Sequence, residues 1–315
     1  MDYLAILAIS WEVKGDEPAK RHMISFSITL ALLMVVVAGV QGAAAQNATP
    51  AGGSKFAGMG IQELHVVADD TAFHAPAAAK AGLTVLTLEN QGKTEASASI
   101  GTPKSGETVD QLMQEVATPV SADTTFLKVA YDIELSGGPV AQPGQTSEVL
   151  INLKECDHII AGEGSQMPAK IHVTAAEGTP APEPSADLTV EMKEYTFAGL
   201  TDQVTAGDHL MKLTNTGTQP HIMVILIMPA GTTSAQFQGL LQAEITGTPM
   251  AGPTPAFDET SFQTVAGTEV RSTGNSLWVP LHLDPGTYGV ACFIPDKDTG
   301  VPHAAMGMAQ VITVS

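Results

Sequence analysis

The sequence predicts an all-β chain built as two tandem β-sandwich domains. Three observations carry this. Gly (30) and Pro (20) are frequent among 315 residues, and aromatics make up only 5%, which favours turns and short strands over long helices. Segments of alternating polarity recur between Gly/Pro turns, as in LTVEMKEYTF (188–197) and LHVVADDTAF (64–73), the period of half-buried strands. Finally, similar segments occur twice in the same order, which marks an internal repeat.

The first 45 residues read as a leader rather than as part of the fold. Lys20, Arg21 and His22 precede the apolar run ISFSITLALLMVVVAGV (24–40), and small residues follow in QGAAAQ. That is the pattern of a secretory signal, with cleavage expected after Ala45. Met23 stands where such a signal can begin, so 1–22 reads as an over-long start. The alternative is a retained anchor, because 17 apolar residues lie at the short limit of a membrane span. The chain is therefore expected to be exported, to a periplasm or the extracellular space, with a flexible lead-in over 46–59.

The first unit is expected over 60–176 and the second over 187–315. The Pro-rich stretch GTPAPEPSA (178–186) falls between them, and 177–186 reads as a semi-extended linker. AGDHLMKLTNTG (206–217) answers AGLTVLTLENQG (81–92), PGTYGVAC (285–292) answers PGQTSEVL (143–150), and QVITVS (310–315) answers KIHVTA (170–175). Each unit also carries one helical pattern, ETVDQLMQEV (107–116) and TSAQFQGLLQAEI (233–245). Both are expected to pack across an end of their sandwich.

The formal net charge is −19, from 33 acidic and 14 basic residues. An acidic surface excludes phosphate-binding roles, so no nucleic-acid partner is expected, and it disfavours docking on an anionic membrane. It fits either the steering of a basic partner or the solubility of an exported protein, and the scatter of acids along both units favours the latter. Two cysteines, Cys156 and Cys292, are too few for a disulfide-rich scaffold. They could form one bridge or remain free.

Candidate metal-ligating residues lie in the second unit. His221 follows the turn NTGTQP, Cys292 ends GTYGVAC, and His303 and Met308 lie in HAAMGM. One thiolate, two imidazoles and one thioether form a donor set suited to copper in both of its common oxidation states. Met306, three residues after His303, is a second thioether candidate. Each residue also has a bland reading: a core histidine, a loop histidine, a buried thiol, Met as core filler. His209 and His282 lie in alternating patterns and read as satisfied strand residues rather than ligands. No Gly-x-Ser-x-Gly, P-loop or His-Glu-x-x-His motif is present, so nothing indicates a nucleophilic or zinc hydrolase.

In this order, Asn215, Gly217 and His221, then Gly286, Tyr288 and Cys292, then His303 and Met308, the second unit resembles the cupredoxins of the plastocyanin/azurin type. The resemblance covers about 187–315 and, more weakly, 60–175. It implies Greek-key sandwiches and one type 1 (blue) copper ion held by His221, Cys292, His303 and Met308. It further implies electron transfer with redox partner proteins, leaving by the exposed edge of one ligand, His303. The ten-residue loop FIPDKDTGVP between Cys292 and His303 is longer than in small cupredoxins, which bears on the copper geometry.

The first unit has lost the set: Ala96 stands for His221, Leu150 for Cys292 and Gly162 near His303, while Met167 alone matches Met308. It is expected to be a copper-free copy, unless Cys156 and His158 form a displaced site. A copper carrier and a metal-free interaction module are the alternatives to electron transfer. An enzyme is disfavoured, because Ala291 and Phe293 flank Cys292 and no His-x-His pair occurs to wire in a second copper cluster.

Overall fold

The computed structural model describes residues 53–104, 106–117, 129–162, 166–247, 252 and 261–315. The leader assigned to 1–45 lies outside them. Among the described residues no helix is long and apolar enough to cross a membrane.

The chain is mostly β. Among the described residues one eight-stranded sheet runs through both units, in the order Thr196–Ala198, Leu188–Lys193, Gly207–Asn215, Ser276–Leu283, Thr146–Leu153, Gly82–Asn90, Gln62–Ala68, Phe73–His74. Each unit adds a five-stranded sheet. In the first its order is Ala78–Lys80, Ala169–Thr174, Asp157–Ala161, Ser99–Pro103, Ile133–Gly137; in the second it is Gln203–Val204, Ala309–Val314, Gly286–Ala291, Val224–Met228, Thr264–Gly267. Outward from the joint of the large sheet, both halves present their strands in the same sequence order.

The sheets are mixed rather than purely antiparallel. Gln62–Ala68 pairs parallel with Gly82–Asn90, and Leu188–Lys193 parallel with Gly207–Asn215. Between each parallel pair the chain leaves the large sheet, adds a short strand to the smaller sheet (Ala78–Lys80 or Gln203–Val204), and returns in the same direction. Alternation sets the faces: along Gly207–Asn215 it is His209, Met211, Leu213 and Asn215 that turn inward. One apolar cluster extends from Leu64, Leu86 and Ile151 to Met223, Cys292 and Met308.

The joint pairs Leu277 with Ile151 and Trp278 with Leu150. Trp278 and Leu150 are buried there with Val85 and Phe56. Phe56 thus departs from the flexible lead-in expected over 46–59. Its aromatic ring completes the joint, and the Lys55 backbone N–H donates to Glu148 at 2.7 Å. A second seam forms beside the candidate ligands. There the Ser272 N–H donates to the Leu135 carbonyl, and the Leu135 N–H to the Ser272 hydroxyl, both at 3.0 Å.

Both expected helices form, as Val109–Ala117 and Ser234–Thr246. The second is started by a capping box between Thr233 and Gln236, which satisfies N–H groups that a helix start leaves orphaned. It covers the outer face of its sheet through Phe237 and Leu241. A Cβ at Gly289 would lie 2.7 Å from the Phe237 ring, so the aromatic ring rests directly on a strand that only glycine can provide there.

Matching the halves strand for strand corrects one repeat assignment. Ser276–Leu283 pairs with Gly207–Asn215 as Thr146–Leu153 pairs with Gly82–Asn90. The counterpart of PGQTSEVL is therefore that strand, not PGTYGVAC. Gly286–Ala291 instead matches Asp157–Ala161, each lying beside the closing strand of its unit. Ala291 faces Ala309 as Ile160 faces Ala169, so the place of Cys292 falls at Ala161, and Leu150 belongs to the joint. A Pro-Gly turn precedes both strands, which is why the sequence patterns looked alike.

Candidate metal centre

The His221 turn is built on Asn215. This side chain is fully buried and donates from Nδ2 to the carbonyls of Gln219 and Arg271, both at 2.8 Å, while Oδ1 accepts the Gly217 N–H at 2.9 Å. Only a carboxamide offers donor and acceptor together at that reach. His221 then closes a two-way backbone pair with Arg271. The first unit repeats the device: Asn90 Nδ2 donates to Thr94 and Ala141, and Oδ1 accepts from Gly92. Ala96, paired with Ala141, occupies the place of His221.

The loop after Cys292 folds on itself, which explains how ten residues can separate two neighbouring ligands. Asp296 is its hub. Its Oδ1 accepts from the Asp298 and Thr299 N–H groups and from the Thr299 hydroxyl, and Oδ2 from Gln219 Nε2 at 2.7 Å and the Tyr195 hydroxyl at 3.0 Å. Pro295 bridges back to Pro302. The His303 N–H then donates to the Ile294 carbonyl at 2.9 Å, and the Cys292 N–H to the Met308 carbonyl at 3.1 Å. A 3-10 turn, His303–Met306, delivers the second imidazole.

These contacts bring three donor atoms together. Cys292 Sγ lies 3.7 Å from His221 Nδ1 and 3.6 Å from His303 Nδ1, and the two Nδ1 atoms are 3.1 Å apart. The point equidistant from all three is about 2 Å from each, the length of a bond from a first-row metal to imidazole nitrogen. All three side chains are fully buried. Among the described residues no other trio of His, Cys, Asp or Glu closes in this way.

Met308 is fully buried in the core cluster that holds Cys292. Met306 is half-buried, and its sulfur accepts from the Thr299 hydroxyl at 3.8 Å. Of the two thioethers, Met308 is the one that shares the buried cluster with Cys292.

Electrostatics keep the site neutral without a metal. Burial holds the His221 imidazole down to about 4, with His303 adding to the effect, and burial lowers His303 as well. Burial pushes the Cys292 thiol up to about 12. A cation entering must therefore displace the thiol proton.

His303 departs from the sequence expectation. Its ring has no exposed edge; Tyr195 packs edge-on against it at 5.5 Å between centroids. Tyr195 adopts φ 65°, a left-handed conformation uncommon for a residue with a Cβ. The first unit contributes to the cover too. The Tyr131 hydroxyl bonds to the Pro295 carbonyl and to Gln219 Oε1. Tyr131→Phe is expected to cost about 1 kcal/mol, the net worth of such bonds, read as a small drop in the urea midpoint with the fold unchanged.

The other sequence candidates separate. Cys156 is a free thiol 3.3 Å from His158 Nε2, and that nitrogen also contacts the Lys154 carbonyl; the pair has no third donor among the described residues. His209 bonds to Asp187 and Thr205, and His282 to Asp208, as strand residues should. Met167 is exposed. Sequence reasoning missed Arg271, Tyr195, Asp296 and Tyr131, which no local motif marks.

No protein-family model and no curated protein matches the chain. Solved structures do. A dithionite-reduced auracyanin of Roseiflexus castenholzii is 25% identical, over 42% of this chain and 99% of its own, at TM-score 0.27. Auracyanin A of Chloroflexus aurantiacus, a "blue" copper protein, is 20% identical over 40% and 98%, at TM-score 0.26. A copper-containing nitrite reductase of Thermus scotoductus is 11% identical over 80% and 61%, at TM-score 0.22. At such TM-scores the likenesses carry no argument, and the candidate site stands on its own geometry.

Proposed function

We propose that the chain is an exported type 1 copper protein that transfers single electrons. His221, Cys292 and His303 would hold one copper ion, with Met308 as the weak fourth ligand. The carrying observation is the buried triangle of Nδ1, Nδ1 and Sγ, whose size suits a first-row metal and whose donors suit both Cu(I) and Cu(II). When bound, copper supplies a one-electron couple. The protein's part is to fix the donors rigidly, so that little movement accompanies a change of charge, and to exclude water from them. Export rests on the leader read in residues 20–45, and the electron partners are proteins of complementary surface.

The two units are read as tandem Greek-key sandwiches descended from one duplicated ancestor. The first is a copper-free structural copy: Ala96 and Ala161 stand at two ligand places. At Gly162, the residue after Ala161, a Cβ would lie 2.0 Å from the Ser97 carbonyl and 2.9 Å from the Phe73 ring, so the space has closed.

Titration of the metal-free chain with Cu(II) tests this. An intense visible band that saturates at one copper per chain and bleaches reversibly with a one-electron reductant is the expected result. Binding of Cu(I) alone, without colour, would make the protein a carrier. No binding at all would make it a metal-free interaction protein. Catalytic consumption of dioxygen or nitrite would replace electron transfer with an oxidoreductase activity.

A further inference from the structure

The proposed function leaves the placement of Arg271, beside the site, unexplained. Its side chain is fully buried. Nη2 donates to the Thr268 hydroxyl at 3.1 Å and touches Met192 Sδ at 3.9 Å, while Nε and Nη1 have no hydrogen-bond partner. Among the described residues no carboxylate lies within ion-pair distance of it. A buried guanidinium without a counter-charge is costly, because it gives up its hydration for a single hydrogen bond. A guanidinium keeps its proton at neutral pH even when buried.

Its backbone makes the two-way pair with His221, which fastens the guanidinium to the turn carrying the first imidazole. From the other side the first unit closes over it: a Cβ at Gly137 would lie 3.2 Å from Arg271 Cγ, and Ser136 bridges to its backbone. The charge is thus held in place, sealed from water and from counterions. The imidazole on that turn lies 3.7 Å from Cys292 Sγ, so the guanidinium is carried on the same turn as the donor set.

We infer that Arg271 is a positioning charge that biases the metal centre toward its lower charge state and so raises its reduction potential. The inference rests on the copper reading of the same site. A copper–thiolate pair carries one net positive charge when oxidised and none when reduced. Reduction takes one electron from a donor protein, and oxidation passes it to an acceptor; no bond in the chain forms or breaks. A fixed cation nearby repels the oxidised pair and leaves the neutral one alone. In a dry interior that repulsion is screened far less than at a surface.

Arg271→Met and Arg271→Lys test it. The Met variant is expected to fold with unchanged or greater stability when metal-free, since the removed charge had no counter-charge. In the copper-loaded protein, at a fixed redox poise, its Cu(I)/Cu(II) ratio should fall at least tenfold, equal to about 59 mV for one electron. Arg271→Lys should stay within threefold of wild type. A second measurement is independent of copper. Ag(I) and Zn(II) compete for the site, and with the thiolate they give net charges of zero and one. Arg271→Met should shift that competition at least tenfold toward Zn(II), and Arg271→Lys should not. A folded Met variant with both ratios within threefold of wild type overturns the inference while leaving the copper reading standing. A wild-type chain with no visible copper band, but a tenfold Ag(I)/Zn(II) shift in the variant, overturns the copper reading and keeps the role of Arg271. Should Arg271→Met not fold, Arg271→Gln takes its place; failure of both to fold overturns the inference, because the residue would then be structural.

Discussion

Cys292→Ser is expected to abolish the visible copper band and to weaken Cu(I) binding by more than about 100-fold. Loss of a group that merely supports a ligand costs up to about that factor, and here a ligand itself is lost. A serine oxygen is a hard, weakly acidic donor and cannot replace a thiolate toward a soft ion. The fold should survive, since serine is slightly smaller than cysteine and the backbone bonds of position 292 to Met308 and Ala304 are kept. The measurement is a copper titration followed in the visible range, with competition against a Cu(I) chelator for affinity. Cys156→Ser is the control. Cys156 is a half-buried thiol engaged with His158 and Lys154, in the unit that lacks the ligands, so both readouts should stay at wild-type values. If Cys156→Ser lost the band and Cys292→Ser kept it, the ligand assignment would be wrong.

The parts of this site that the sequence made legible are those fixed by local chemistry. The Asn215 turn needs six residues and one carboxamide, so Asn215 and His221 can be recognised together, and so can the matching turn of Asn90 and Ala96. Cys292, His303 and Met308 share one loop. What stayed illegible depends on contacts between distant residues. Leu150 and Cys292 each end a segment opened by Pro-Gly, and only the pairing of Thr146–Leu153 with Gly82–Asn90 shows that the strands differ. The burial of His303 comes from Tyr195 and from a loop organised by Asp296, which receives bonds from residues 77 and 101 positions away. Tyr131 and Gly137 reach the site from the other unit. Arg271 carries no motif, and its meaning lies in the partners it lacks.

Acid should unfold the metal-free chain well before its carboxylates are protonated. His221 titrates near 4 in the folded chain and near 6.5 once unfolded. Between these values the unfolded chain holds a proton that the folded chain excludes, so each step toward lower pH favours unfolding. Above 6.5 neither state is protonated and the full stability is present; below about 4 both are, and the loss is complete. At roughly 1.4 kcal/mol per unit, His221 alone removes about 3 kcal/mol across this window, a large share of an ordinary domain's stability. His303 and His158, both lowered by burial, act in the same direction. Glu194 adds a later loss. Burial pushes its carboxyl up, but N–H donors from Gln219 and Thr218 outweigh that and hold it at about 2, so its contribution disappears only as the pH falls below about 4. Urea midpoints of the metal-free chain at pH 7, 5.5 and 4.5 measure the effect. His221→Leu, which cannot take the proton, should flatten the slope between 6.5 and 4, and an unchanged slope in that variant would refute the assignment to His221. Copper should flatten it in wild type too, because an imidazole nitrogen that holds a metal cannot accept a proton until the metal leaves. The loaded chain should therefore resist acid until its band disappears, and band and fold should then be lost together.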